Sequence, residues 1–151
     1  MAEILLSSEA FVKSVTNISD NLAGKYVLAS LREAQEVGLK SILGETLLEK
    51  LKALVGNGKI GTSPSYKALV DKCQYYLAYM TIVEVVNKVS YKIGNAGVTK
   101  ATDENMEIAS QEEIIMQKEY YQGKADYYCL DLQQYVLDNR SDFPEVDECS
   151  C

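Results

Sequence analysis

The 151-residue sequence contains no histidine and no tryptophan, and it has only two prolines and two phenylalanines. Without histidine the chain has no imidazole for catalytic triads, for acid–base catalysis near neutral pH or for histidine-containing metal sites. We therefore expect a protein that is not an enzyme and that holds no cofactor and no metal ion. Its function would then be to bind other proteins.

Long apolar runs and a basic N-terminus are also absent. No stretch approaches the roughly 20 apolar residues that span a bilayer, and residues 1–11 lack the pattern of a secretory signal. We expect a cytosolic protein without a membrane partner. Cysteine is scarce as well, and the default interpretation of its four residues, Cys73, Cys129, Cys149 and Cys151, is free thiols rather than a disulfide framework.

The net charge of −7 hides an asymmetry along the chain. Residues 1–100 carry twelve basic and nine acidic side chains, whereas residues 101–151 carry three basic and thirteen acidic ones. An acidic chain without a basic cluster is a poor binder of nucleic acids and anionic membranes. The asymmetry indicates either a solvated acidic face or charge complementarity, between copies of the chain or with a basic partner.

The spacing of apolar residues predicts an all-α fold, a helical bundle of about four to five helices. A short helix or extended arm ends near Thr16, and Asp20 or Asn21 caps the first long helix, which begins at about Leu22. One stripe of that helix is predicted to be Leu28, Leu31, Gln35, Leu39 and Ile42. We expect the amide of Gln35 to be a structural hydrogen bonder. Gly44 is placed where this helix turns into a second one.

The segment from Tyr66 to about Ile93 is predicted to be the long central helix, because it is apolar on nearly every side between Tyr75 and Val86. A glycine-containing loop precedes it and lacks the Gly-Lys-Ser/Thr ending of a phosphate-binding loop. After it, glycines and β-branched residues predict a short extended excursion, or a small hairpin, near residues 94–103.

The acids between Asp103 and Glu113 are predicted to open a last helix that runs to about Leu137. Its packing side is predicted to be Tyr121, Ala125, Tyr128, Leu132 and Tyr135, which alternate spacings of four and three. Gly123 within this helix indicates a close helix approach. We divide the chain into one helical domain, residues 1–139, and an acidic C-terminal tail, residues 140–151.

Tyrosine is the conspicuous residue, with eleven copies. Tyrosine packs in cores when its hydroxyl is satisfied, and it is also enriched at protein–protein contacts. Neighbouring positions cannot share one helix face, so each doublet should place one ring outside the local core. The doublets are Tyr75-Tyr76, Tyr120-Tyr121 and Tyr127-Tyr128.

The chain resembles the small head-to-tail connector, or head-completion, proteins of tailed bacteriophages and prophages. The resemblance lies in AQEVGLKSILGETLLEKL (residues 34–51), the long helix to Ile93, GNAGVTKAT (residues 94–102) and a final helix closing with YVLDNRSDFPE (residues 135–145). It covers nearly the whole chain, apart from the C-terminal Cys-Ser-Cys.

This resemblance implies a structural protein of the virion neck, assembled in the bacterial cytoplasm. Copies would form a homo-oligomeric ring, commonly twelve-fold, that docks on the portal protein and bridges to downstream tail or neck proteins, while DNA passes through the channel without tight binding. The alternative is a generic helical adaptor or regulatory protein-binding module. The interface residues that we predict are Val98, Lys100, Tyr120, Tyr127, Arg140, Asp142, Phe143, Glu145, Asp147 and Glu148.

Overall fold

The structure is a computed structural model that describes residues 4–16, 24–94, 97–100 and 111–148. The six α-helices of these ranges are α1 (Glu9–Val15), α2 (Gly24–Glu33), α3 (Lys40–Leu43), α4 (Glu45–Gly56), α5 (Pro64–Ser90) and α6 (Gln111–Asp138). A π-helix (Ala34–Leu39) joins α2 to α3, and 3-10 turns cover Ile60–Thr62, Arg140–Asp142 and Pro144–Glu148. Strands β1 (Tyr91–Gly94) and β2 (Gly97–Lys100) follow α5. The predicted all-α bundle with a long central helix is confirmed.

Helices α5 and α6 run antiparallel and form the centre of the bundle. Stacked tyrosine rings join them, with centroids 5.6 Å apart for Tyr75 and Tyr128 and 6.3 Å apart for Tyr79 and Tyr121. The packing side predicted for α6 is confirmed, because Ala125 and Leu132 are fully buried and the three tyrosines between and beside them are half-buried. We call these five positions, 121, 125, 128, 132 and 135, the inner stripe of α6.

The stripe predicted for the first long helix is correct except at Leu28, which is 46% exposed. Val27 is buried in its place, on the same side as Leu31. From Leu31 the buried positions recur every four residues through Gln35 and Leu39, a spacing that drifts around an α-helix. The π-helix holds more residues in each turn and so keeps these positions on one side.

The π-helix also carries an ion pair to α4. Lys52 Nζ donates to Glu36 Oε1, at 2.6 Å. This hydrogen bond lowers the pKa of Glu36 against the opposing effect of its burial, and the charge of Lys52 adds to the lowering. Burial alone would lower the pKa of Lys52, but the contacts with Glu36 and Glu49 raise it overall.

Gly44 forms the corner between α3 and α4, as predicted. Its φ of 84° is in the region that side chains rarely adopt, and its N–H donates to the carbonyl of Lys40 at 2.8 Å. The ψ of 158° is extended rather than left-handed helical, so this one residue ends α3 and begins α4.

The central helix ends at Ser90, not at about Ile93 as predicted. Residues 91–94 instead form β1, which pairs antiparallel with β2 in the register Tyr91 opposite Lys100 and Gly94 opposite Gly97. A small hairpin was one of the two conformations predicted near residues 94–103, and the described residues form it. The β-branched residues on both sides of the turn favour a strand over a helix. The strand therefore begins before Ile93, where the helix was predicted to end.

Gly123 does not mark a close helix approach, so that prediction is wrong. The residue is exposed, and a Cβ placed on it would have no atom within 4 Å. The predicted caps Asp20 and Asn21, the start at Leu22, residues 103–110 and the two C-terminal cysteines lie outside the described residues.

Candidate protein interface

Helix α6 carries a second apolar stripe on the side that faces away from α5. Its positions alternate spacings of four and three, the repeat of a helix that packs along another helix at a shallow angle. We call it the outer stripe, and it consists of Met116, Tyr120, Gly123, Tyr127, Leu130, Gln134 and Leu137. At about 1.5 Å per residue it is about 32 Å long.

The outer stripe is exposed along its full length. Its five large apolar side chains are between 58% and 67% exposed, and its glycine and glutamine are exposed too. Single exposed apolar residues are ordinary, but a continuous row of them is typical of a contact surface.

Two tyrosines of the outer stripe are held in place by the inner stripe. The ring of Tyr120 stands edge-on to Tyr121, with centroids 5.2 Å apart, and Tyr127 stands edge-on to Tyr128 at 5.1 Å. Lys124 Nζ lies 5.6 Å from the Tyr120 centroid, within cation–π distance. The exposed rings are therefore partly ordered before any partner binds, which reduces the entropy lost on binding.

A shallow depression lies between these two rings, because the residue at its floor has no side chain. We call it the Gly123 notch, and Glu119, Tyr120, Lys124, Tyr127 and Tyr128 line it. Glu119 and Asp126 give this edge of the helix a negative charge, and Asp126 accepts a hydrogen bond from Gln122 at 2.9 Å. The notch thus combines aromatic walls with a rim that carries one acid, Glu119, and one base, Lys124.

Sequence reasoning identified Tyr120 and Tyr127 as contact residues, and both rings are exposed, as the doublet argument predicted. It missed Met116, Leu130 and Leu137. Their signal was present as a second run of alternating spacings in the same helix, offset by about one residue from the inner stripe.

The other predicted contact residues lie at the two ends of the α5–α6 pair. Val98 and Lys100 are in β2 of the hairpin that follows α5, and Val98 is opposite Ile93. Arg140 and Asp142 are exposed in the 3-10 turn after α6. Because α5 is about 40 Å long, the structure separates these two sets instead of bringing them together.

Phe143 was predicted as an interface residue, and the structure contradicts this. Its side chain is fully buried, with its ring 5.4 Å from Tyr66 and 6.0 Å from Tyr135. We call residues 140–146 the Phe143 segment. Phe143 and Val146 pack on the core of the domain, although residues 140–151 were predicted to form an acidic tail, and residues 140–142 and 144 are exposed. An aromatic side chain inserted between two helices, with a partly buried valine near it, anchors this segment.

Glu145, another predicted contact residue, is half-buried and has a partner within the chain. Tyr66 Oη donates to its carboxylate, 2.9 Å from Oε1 and 3.0 Å from Oε2. Burial, and next the Glu145 carboxylate, raise the pKa of Tyr66 to about 12. Asp147 and Glu148 continue the last 3-10 turn, and the positions of their side chains lie outside what the structure describes.

Within the described ranges, no group of three or more acidic, cysteine or histidine side chains is arranged to hold a metal ion. The thiol of Cys73 is fully buried in α5, and burial raises its pKa, so it has the character of a small core residue. None of the described helices combines the length and apolar character needed to cross a membrane.

One of the comparisons with known proteins finds a family. No curated protein and no solved structure matches the chain. A family model described as a family of unknown function, DUF6712, matches residues 39–151. The matched range begins at the end of the π-helix and includes the central helix pair, the hairpin and the outer stripe. Since it spans well over half of the sequence, the chain belongs to the DUF6712 family.

Proposed function

We propose that this protein is a structural component of a bacteriophage neck, a subunit of a ring that docks on the portal and bridges to the tail. The observation that carries the proposal is the outer stripe of α6, a preordered apolar surface about 32 Å long that no described residue covers. The resemblance of residues 34–51, 94–102 and 135–145 to head-to-tail connectors supports the same function.

The distribution of surfaces suits a ring subunit. A closed ring is built from heterologous contacts, in which one face of a subunit meets a different face of the next. The hairpin lies at one end of the α5–α6 pair, and the Phe143 segment lies at the other. We assign one end to the portal and the other to the downstream tail or neck proteins, with the long helices as a rigid spacer.

The charge supports a channel through which DNA moves. Residues 101–151 have a net charge of −10. An acidic lining would repel the phosphate backbone, so that DNA passes without tight binding. The virion neck would be the site of the finished ring, after assembly in the bacterial cytoplasm.

The proposal is tested by mixing the purified protein with the portal protein of the same phage or prophage and imaging the mixture by electron microscopy. We expect rings, twelve-fold in the usual case, seated on one end of the portal. Portals that remain bare at saturating concentrations would refute the connector function. They would leave the alternative, a helical adaptor for another protein, as the function to test next.

A further inference from the structure

We propose that the outer stripe of α6 is a docking surface for a second copy of this chain, and that Val37 of that copy enters the Gly123 notch. The inference deepens the proposed function and rests on it, because it names the pair of surfaces by which neighbouring ring subunits would meet.

Gly123 lowers the stability of α6 within the subunit, and no packing contact within the described part of the subunit requires a glycine there. Glycine inside a helix is less favourable than alanine. Gly38 is the other glycine deep within a helical segment. A Cβ there would collide with the Tyr76 hydroxyl, so packing within the subunit requires glycine at this position. At Gly123 a Cβ would meet nothing within 4 Å. A hole that no described residue of the subunit fills is explained by a side chain from a partner.

Charge argues against a partner that presents its own outer stripe. Helix α6 contains six acidic and two basic side chains, a net −4. Two copies of α6 laid side by side would each bring this net negative charge to the contact, which is unfavourable. Residues 24–94 contain ten basic and six acidic side chains, a net +4. The complementary surface is therefore in the α2–α5 part of the next copy.

Val37 is the side chain in that part that best fits the hole. It is 72% exposed, more than any other large apolar side chain whose exposure the structure describes. It projects from the π-helix, an element that often marks functional sites. The exposed Lys40 lies three residues further on, where its Nζ is 3.8 Å from Glu45 Oε1, and Glu36 beside Val37 is paired with Lys52. Val37 is thus an aliphatic knob, and Lys40 beside it would exchange its long contact with Glu45 for one with Glu119 or Asp126 of the partner.

The experiment is a complementation of two variants that each lose one half of the contact. Gly123→Gln fills the notch, and Val37→Asp places a charge on the knob. Both positions are exposed, so both variants should fold. The matched controls are Ala53→Gln and Ala53→Asp, which add the same groups at an exposed position of α4. Self-association is measured by analytical ultracentrifugation and native mass spectrometry, and folding by circular dichroism.

We expect the wild-type chain and both Ala53 variants to self-associate. Each contact variant alone should associate at least tenfold more weakly. A one-to-one mixture should regain a single contact and form dimers, because Val37 of the Gly123→Gln copy can still enter the intact notch of the Val37→Asp copy. Higher salt should weaken the contact.

Three results would overturn the inference: a wild-type chain that stays monomeric at millimolar concentration, a contact variant that associates like wild type, or a mixture that stays monomeric. Association by Val37→Asp alone would show that two outer stripes meet each other instead. The portal experiment is independent. If portal-docked rings form equally well from Gly123→Gln, the contact assigned here is wrong and the connector function stands.

Discussion

The backbone N–H of Leu6 donates to Gln35 Oε1 at 2.8 Å, and both residues are buried. The amide of the same side chain donates back to the carbonyl of Ile4 at 2.9 Å. Gln35 therefore satisfies a donor and an acceptor of the N-terminal segment, as a neighbouring β-strand would do. Gln74 on α5 adds a third bond, to the carbonyl of Leu6 at 3.0 Å.

Replacing Gln35 with leucine should destabilise the protein by about 2–4 kcal/mol, because the buried N–H of Leu6 and the part-buried carbonyl of Ile4 lose their partners. Chemical denaturation measures the change, and hydrogen exchange of the Leu6 amide locates it. Gln133→Leu, at an exposed position of α6, is the control and should change stability by less than about 0.5 kcal/mol. Equal stability of the two variants would show that the Gln35 bonds contribute nothing.

Removing the Tyr66 hydroxyl should loosen the segment around Phe143. Tyr66→Phe deletes the donor to Glu145 and keeps the ring that packs on Phe143. We expect a loss of about 1 kcal/mol at neutral pH, since the bond involves a charged acceptor but is partly open to solvent. Thermal or urea unfolding of the two proteins measures it. A variant as stable as wild type would contradict the prediction.

The partial burial of Tyr66, together with the same bond, should make stability depend on alkaline pH. The pKa of Tyr66 is raised from 10.0 to about 12 in the folded state, so folding favours the neutral phenol. The stabilisation is fully present below pH 10 and is lost as the pH rises from 10 to 12. The difference in unfolding free energy between wild type and Tyr66→Phe should therefore shrink over this range. A constant difference would show that the phenol titrates normally.

Gly38→Ala should destabilise the protein, although alanine is the better helix former. The new Cβ would lie 2.3 Å from the Tyr76 hydroxyl oxygen and 3.3 Å from the ring carbon that bears it. Because the Tyr76 ring is buried, the collision is expected to cost about 1–3 kcal/mol. Adding Tyr76→Phe removes the oxygen and should recover part of the loss. A double-mutant cycle with an interaction energy near zero would exclude this collision.

Gly123→Ala should have the opposite effect and stabilise the isolated subunit by about 1 kcal/mol. The added methyl group meets open space, so only the helix preference changes. The comparison with Gly38→Ala tests the two environments with the same substitution in the same protein. A destabilised Gly123→Ala monomer would show that the residue packs within its own subunit.

Much of the fold follows from local patterns that the sequence displays openly. The inner stripe of α6 could be predicted because its positions, among them Tyr121 and Leu132, keep alternating spacings of four and three for about four turns. The corner at Gly44 could be predicted because a single glycine separates two amphipathic segments. In both cases the local preference and the tertiary packing agree, and the prediction needs no knowledge of distant contacts.

The wrong predictions concern residues whose positions depend on contacts with distant parts of the chain. Phe143 was expected at a surface because its neighbours are acidic, but its burial depends on Tyr66, 77 residues earlier in the chain. Leu28 was placed in the core because α-helical spacing was assumed, whereas a π-helix begins at Ala34. Gly123 was predicted to lie at a close helix approach. Whether a glycine faces a neighbouring helix or open space depends on the tertiary packing, which local spacing does not show.

The stacked tyrosines of α5 and α6 also give this protein an optical signal of its own. Tyr79 lies 5.5 Å from Tyr128 with only 6° between the ring planes, and Tyr75 continues the row at 20°. Since the chain has no tryptophan, phenol rings dominate its near-ultraviolet spectrum. Their circular dichroism therefore reports whether α5 and α6 are docked, separately from the far-ultraviolet signal of the helices themselves.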